Sequence, residues 1–151
     1  MLILDKKSII ESEGKFGTIF FDIDENKFPD ENWNDFVIII LSWWLNATYK
    51  LLENHSFSED FYFMDGSYKI KTGYQEEDKF NMIFIKNNEI IIQSSIVHIE
   101  DFVSDILNKV NDLIRELIRL KIKNNSDFKE LQSSYVKLQK SYKGWKKNQL
   151  P

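Results

Sequence analysis

Tyr68-Lys-Ile-Lys-Thr-Gly-Tyr74 alternates Tyr68, Ile70, Thr72 and Tyr74 with Lys69, Lys71 and Gly73, and Phe80-Asn-Met-Ile-Phe84 repeats the same period of two. Successive side chains on an extended strand point to opposite faces, so this alternation marks strands with one face turned to a core. Residues 60–64 precede them as a further strand, closed by the turn Asp65-Gly66. Residues 75–79 form a polar turn, Asn87-Asn88 another, and residues 89–97 the last strand. Asp-Gly and Asn-Asn between alternating runs are hairpin signals. Residues 60–97 therefore read as a four-stranded antiparallel meander.

Working outward, Lys15-Phe-Gly-Thr-Ile-Phe-Phe-Asp-Ile23 is rich in β-branched and aromatic residues and reads as a strand. Residues 2–4 and Ile9-Ile10 are short apolar pieces that suit an edge strand. Residues 26–34 read as a loop around Pro29, and Asp35 as the N-cap of a helix over residues 36–53. That helix is almost continuously apolar to Leu45, so it should be buried on most sides, with Phe36, Trp43, Trp44 and, beyond it, Phe63 in the core. Downstream, Phe102, Val103, Ile106, Val110, Leu113, Ile114, Leu117 and Leu120 mark one face of a long helix. Asn124-Asn125 breaks it and Ser126 caps the next. There Phe128, Leu131, Tyr135, Leu138, Tyr142 and Trp145 form a seam expected to pack on the preceding helix. The fold class expected is α+β, an antiparallel meander of five to six strands packed against a central helix and a C-terminal helical hairpin. Residues 1–143 read as one domain and residues 144–151 as a frayed tail.

Composition sets the function classes. The chain has 151 residues, 42% hydrophobic and 29% charged, with a net charge of −4, a globular balance. It has no Cys, so neither a disulfide framework nor a thiolate metal site can form. Met1-Leu-Ile-Leu-Asp5 lacks a basic region and a long apolar core, and the longest apolar stretch, residues 36–45, is too short to span a bilayer. A soluble, cytoplasmic protein with no membrane contact is expected.

Little chemistry is legible. Asp22-Ile-Asp24 has the D-x-D spacing of phosphoryl-transfer hydrolases, and carboxylates two apart on a strand can share a Mg²⁺. No Thr follows, and the chain lacks the length for a doubly wound sheet with a cap. His55 and His98 are the two histidines, and neither has a second His at metal spacing. There is no nucleophile elbow and no glycine-rich phosphate cradle. No catalytic, cofactor-binding or metal residue is assigned, and the chain is not read as an enzyme. Lys129, Lys137, Lys140, Lys143, Lys146 and Lys147 interleave with Tyr142 and Trp145, which could grip RNA, but the chain is acidic and those aromatics fall on the seam.

Charge is uneven. Residues 1–66 carry 13 acids against 5 lysines, and residues 67–151 carry 11 acids against 13 lysines and 2 arginines. Asp22, Asp24, Glu25, Asp30, Glu31 and Asp35 oppose only Lys27. Such a segment repels phosphate backbones and attracts a basic partner.

Phe28-Pro29, Trp33-Asn-Asp35-Phe36, Leu41-Ser-Trp-Trp-Leu45 and Phe63-Met-Asp-Gly66 with Tyr68, in that order, resemble small immunity-type proteins encoded beside bacterial polymorphic toxins, including contact-dependent growth-inhibition systems. The matching stretch covers about residues 28–68. The resemblance implies a non-catalytic protein that binds and neutralises a cognate toxin C-terminal domain, for example a nuclease with a basic cleft, as a monomer or weak homodimer. The acidic segment then places the partner-facing surface at Asp22, Asp24, Glu25, Asp30 and Glu31, with Glu53, Glu59 and Asp60, and Trp33 as its apolar anchor. Two alternatives stand beside it. One is a structural or adaptor protein self-associating through Leu131, Tyr135 and Leu138; the other is an RNA-binding module using the lysine-rich end.

Overall fold

A computed structural model describes residues 1–122 and 125–149. In chain order the elements are β1 (Leu2–Leu4), α1 (Lys6–Glu11), β2 (Gly17–Ile23), β3 (Asn26–Phe28), β4 (Asn34–Asp35), α2 (Val37–Leu52), β5 (Ser58–Tyr62), β6 (Tyr68–Glu76), β7 (Lys79–Lys86), β8 (Glu89–His98), α3 (Ile99–Arg119) and α4 (Ser126–Gln149). The fold is α+β, and its antiparallel strands divide between two sheets. No described helix is long and apolar enough to cross a membrane.

The meander runs β5-β6-β7-β8 in sequence order. Its period of two is realised directly: Phe61, Ile70 and Phe84 align across three strands and are buried, as are Thr72 and Met82. Asn87 and Asn88 take φ of 52° and 63°, the left-handed pair that a tight two-residue hairpin needs.

In the smaller sheet β2 is central, with β1 along one side and β3 and β4 along the other. Phe21 pairs with Phe28 and Thr18 with Asn34. Three steps along β2 therefore match six along its partner, and the surplus leaves the sheet as the loop 29–33. Residues 26–34, expected as loop, are thus one interrupted strand with an acidic excursion. Ile9 and Ile10 belong to helix α1, not to an edge strand. The Asp5 carboxylate accepts from the Lys7 N–H at 3.1 Å and caps that helix.

Helix α2 lies at the centre. Trp44 is fully buried, its ring 5.2 Å from Phe21 and 5.1 Å from Phe63, and its Nε1 donates to the Tyr62 carbonyl at 2.8 Å. Phe102 of α3 stacks on the same aromatic cluster through Phe21, Phe61 and Phe80. One buried cluster therefore spans both sheets and all four helices. Trp44 and Phe63 are core as expected, but Phe36 is 47% and Trp43 44% exposed. A continuous apolar run hides which face is free. Positions 36 and 43 lie seven apart, on one side of the helix, and the neighbouring elements cover the other sides.

The face of α3 is buried as its spacing predicts, from Phe102 to Leu117. Helix α4 departs from expectation in its partner: it packs chiefly along α2 and less on α3. Leu131 and Leu138 are buried there. Its cap is Asn125, whose Oδ1 accepts from the Phe128 N–H at 2.7 Å, instead of Ser126. The helix continues past Gly144 to Gln149, where a frayed end was expected. Asn124, Leu150 and Pro151 lie outside the described residues.

Candidate partner-binding surface

The chain enters α2 through Asp35, which is 5% exposed. Its local chemistry, a carboxylate beside a helix start, suggests a cap, yet the N-cap position is held by Phe36, with no side-chain bond. Asp35 instead gathers three donors. Oδ2 accepts from Trp33 Nε1 at 2.9 Å and from the Met64 N–H at 3.2 Å, and Oδ1 accepts from the Phe36 N–H at 2.7 Å. One buried carboxylate thus ties the loop 29–33, the start of α2 and the β5–β6 connection together. Its charge is met by hydrogen bonds in place of water.

Apolar side chains ring this hub and stay in solvent. Phe16, Phe36 and Met64 are 46%, 47% and 38% exposed, and Trp33 is half-buried. With Asn34, Asp35 and Asp65 they line a shallow cavity of about 270 Å³. Trp33 is fixed from behind, its ring 4.8 Å from Tyr68 and 6.3 Å from Phe63.

Asp65 lines the patch, and further carboxylates lie in the loop that carries Trp33. Asp30 and Glu31 are exposed in the loop that presents Trp33; the Asp30 Oδ1 accepts from the Glu31 N–H and the Asp30 carbonyl from the Trp33 N–H. Asp65 accepts from the Ser67 hydroxyl at 2.7 Å and from its N–H at 3.1 Å. Those bonds, aided by the charge of Lys86, hold its carboxyl below the usual carboxylate range. The arrangement is an aromatic centre with an anionic rim.

The nine residues expected to face a partner do not form one surface. Trp33 lines this patch, and Asp30 and Glu31 are exposed in the loop that leads into it. Asp24 and Glu25 occupy the β2–β3 turn with φ of 53° and 67°, at the far end of β2, where the Asp24 Oδ2 accepts from Ser95 Oγ at 3.1 Å. Asp22 lies opposite Lys27 in the hairpin. Because the strand ends at Ile23, Asp22 and Asp24 do not share the alternation that a common Mg²⁺ site would need. Glu59 and Asp60, on β5, stand 3.6 Å from Lys50 and 3.2 Å from Lys69. Glu53 follows α2 and accepts from Ser141 Oγ at 2.7 Å. Phe16, Phe36, Met64 and Asp65 were not singled out from the sequence as contact residues. The one available signal was Phe36 at a position where helices favour Ser, Thr, Asn or Asp.

Other chemistry is sparse. His55 packs edge-on to Tyr49, and His98 lies 4.0 Å from Asp78 at the surface. Among the described residues no three His, Asp or Glu side chains gather as a metal site would require. On α4 the lysines are exposed, but Tyr142 is 8% exposed and so offers no free face for a base.

Comparison of the chain with protein-family models, curated proteins and solved structures finds no match in any of the three.

Proposed function

We propose that this protein is an immunity-type protein that binds a cognate toxin domain in the cytoplasm and neutralises it without chemistry of its own. The observation that carries the reading is the patch of Phe16, Phe36 and Met64 around Trp33, with Asp65 in its lining and the exposed Asp30 and Glu31 in the loop that leads into Trp33. Exposed aromatic clusters with polar rims are characteristic of binding surfaces, where a few central anchors carry most of the energy. An anionic rim raises the encounter rate with a cationic partner such as a nuclease cleft. The order of aromatic and turn residues over residues 28–68 supports the same reading, since it resembles immunity-type proteins.

The seam of α4 favours this over self-association, because Leu131 and Leu138 are already buried against the chain's own core. The test is co-expression with a candidate toxin domain, taken as the C-terminal domain of a large secreted protein if the adjacent gene encodes one. Wild type should form a stoichiometric complex and restore growth. Substituting Asp30→Asn, Glu31→Gln and Phe36→Ser together should weaken the complex about 100-fold or more. Phe36 is the better third site than Trp33, since Trp33 also holds the Asp35 hub and its loss would perturb the fold. Unchanged affinity would rule out this placement.

A further inference from the structure

We infer that the groove between the C-terminal parts of α2 and α4 and the β6–β7 turn is a second docking site, one that takes a single arginine side chain from a partner peptide. The groove has a volume of about 930 Å³, within the range of ligand-binding clefts. Tyr49, Phe57, Tyr74 and Trp145 supply aromatic surface, and Glu53, Glu76 and Glu77 supply carboxylates. Ring faces and carboxylates both attract cations.

Two observations point to an occupant of this chemistry. Phe57 is 88% exposed at the lip, yet its backbone is held: its carbonyl accepts from the Tyr74 N–H at 3.4 Å. Gly73 approaches so closely that a Cβ there would lie 2.8 Å from that same oxygen. The backbone that carries this exposed ring is therefore fixed. Second, the ammonium of Lys137 stands 4.3 Å from the centre of the Tyr49 ring. The groove already attracts a tethered cation, and a partner arginine would replace it there, its guanidinium pairing with Glu77 and with Glu53 Oε2, since Glu53 Oε1 accepts from Ser141 Oγ. A planar guanidinium stacks on a ring and pairs with a carboxylate better than an ammonium does. Glu76 is engaged by Lys79 at 3.2 Å.

Lys137 and Lys140 make the α4 wall basic, which disfavours a uniformly cationic chain. The fitting ligand is one arginine among apolar or neutral residues. Lys137 acts as an internal competitor for its place. None of this requires the partner to be a toxin.

The test is a titration of the full chain, followed by amide and indole NMR resonances, with a blocked hexapeptide carrying one arginine between phenylalanine and alanine residues. Controls replace the arginine by glutamine or glutamate. The arginine peptide should shift the Trp145 indole and the Glu53 and Glu77 amides saturably, and bind about fivefold tighter than the glutamine peptide, the scale of an exposed cation–π contact. Glu53→Gln with Glu77→Gln should remove that preference. Lys137→Gln should tighten binding about threefold. Both sets of positions are exposed, and resonances outside the groove report whether each variant is folded. Unmoved groove resonances, equal binding of arginine and glutamine peptides, tighter binding of the glutamate peptide, or weaker binding by Lys137→Gln would each overturn the inference. The Asp30/Glu31/Phe36 variant should bind the peptide like wild type, so this site and the aromatic patch can fail separately.

Discussion

Substituting Phe36 by serine places a good capping residue at the start of α2, where the helix has no side-chain cap. Phe36 is 47% exposed, so about half of its ring burial would be lost, costing about 1 kcal/mol. A serine whose hydroxyl accepts from an N–H of the first turn returns about 1 kcal/mol. The two effects offset, and the midpoint of thermal unfolding should stay within about 4 °C of wild type. At the proposed interface nothing offsets the loss. A central aromatic anchor is worth about 2 kcal/mol or more, which is a weakening of about 30-fold. Urea unfolding followed by tryptophan fluorescence measures the first quantity, and calorimetry with the toxin domain measures the second. A variant destabilised by more than about 2 kcal/mol would show that Phe36 belongs to the core after all. A variant with unchanged stability and unchanged affinity would remove it from the interface.

Other substitutions probe the framework. Asp35→Asn keeps one acceptor but turns its amide NH2 either toward the Phe36 N–H or toward both Trp33 Nε1–H and the Met64 N–H, all of them donors; it should cost about 2–3 kcal/mol, read as a lower urea midpoint at constant slope. Trp44→Ala empties the centre of the aromatic cluster and should cost about 3–5 kcal/mol by the same assay. Gly17→Ala drives a Cβ into Ile9 and to 2.9 Å from Ser8 Oγ, costing about 1–3 kcal/mol, whereas Gly144→Ala meets open space on α4 and should stabilise by about 0.5–1 kcal/mol. The Asp65 carboxyl titrates below its ordinary value of 3.8, so the stability it contributes is present above that pH and is lost as pH falls through the lower folded-state value. Ser67→Ala should raise its midpoint in carboxyl-carbon NMR toward 3.8, and no movement would contradict the assigned cause.

The meander was legible because its residues obey a strict period of two and its turns carry Asn-Asn and Asp-Gly. The face of α3 was legible for the same kind of reason, a spacing of three and four. Elements without a period were not. Ile9-Ile10 is too short to show one, and a local cap at Asp5 decided for helix. Residues 26–34 look like a loop because the acidic excursion interrupts a strand that resumes only at Asn34. The continuous run from Phe36 to Leu45 announces burial but cannot say that positions 36 and 43 face water. The candidate surface was half visible. Asp30, Glu31 and Trp33 stood out by charge and residue type. Phe16, Met64 and Asp65 join them only through the fold, since the hub on Asp35 brings together segments 29 residues apart. The seam of α4 was correctly seen as apolar, but its spacing could not name α2 as the helix it covers.

The central claim is tested most directly by expressing the C-terminal domain of a secreted toxin encoded beside this protein's gene in growing cells with and without this protein, then isolating the complex. The account predicts arrested growth with the domain alone, restored growth with wild type, a one-to-one complex, and loss of both rescue and complex with the Asp30/Glu31/Phe36 variant. Persistent arrest in the presence of folded wild-type protein, with no complex recovered, would contradict it.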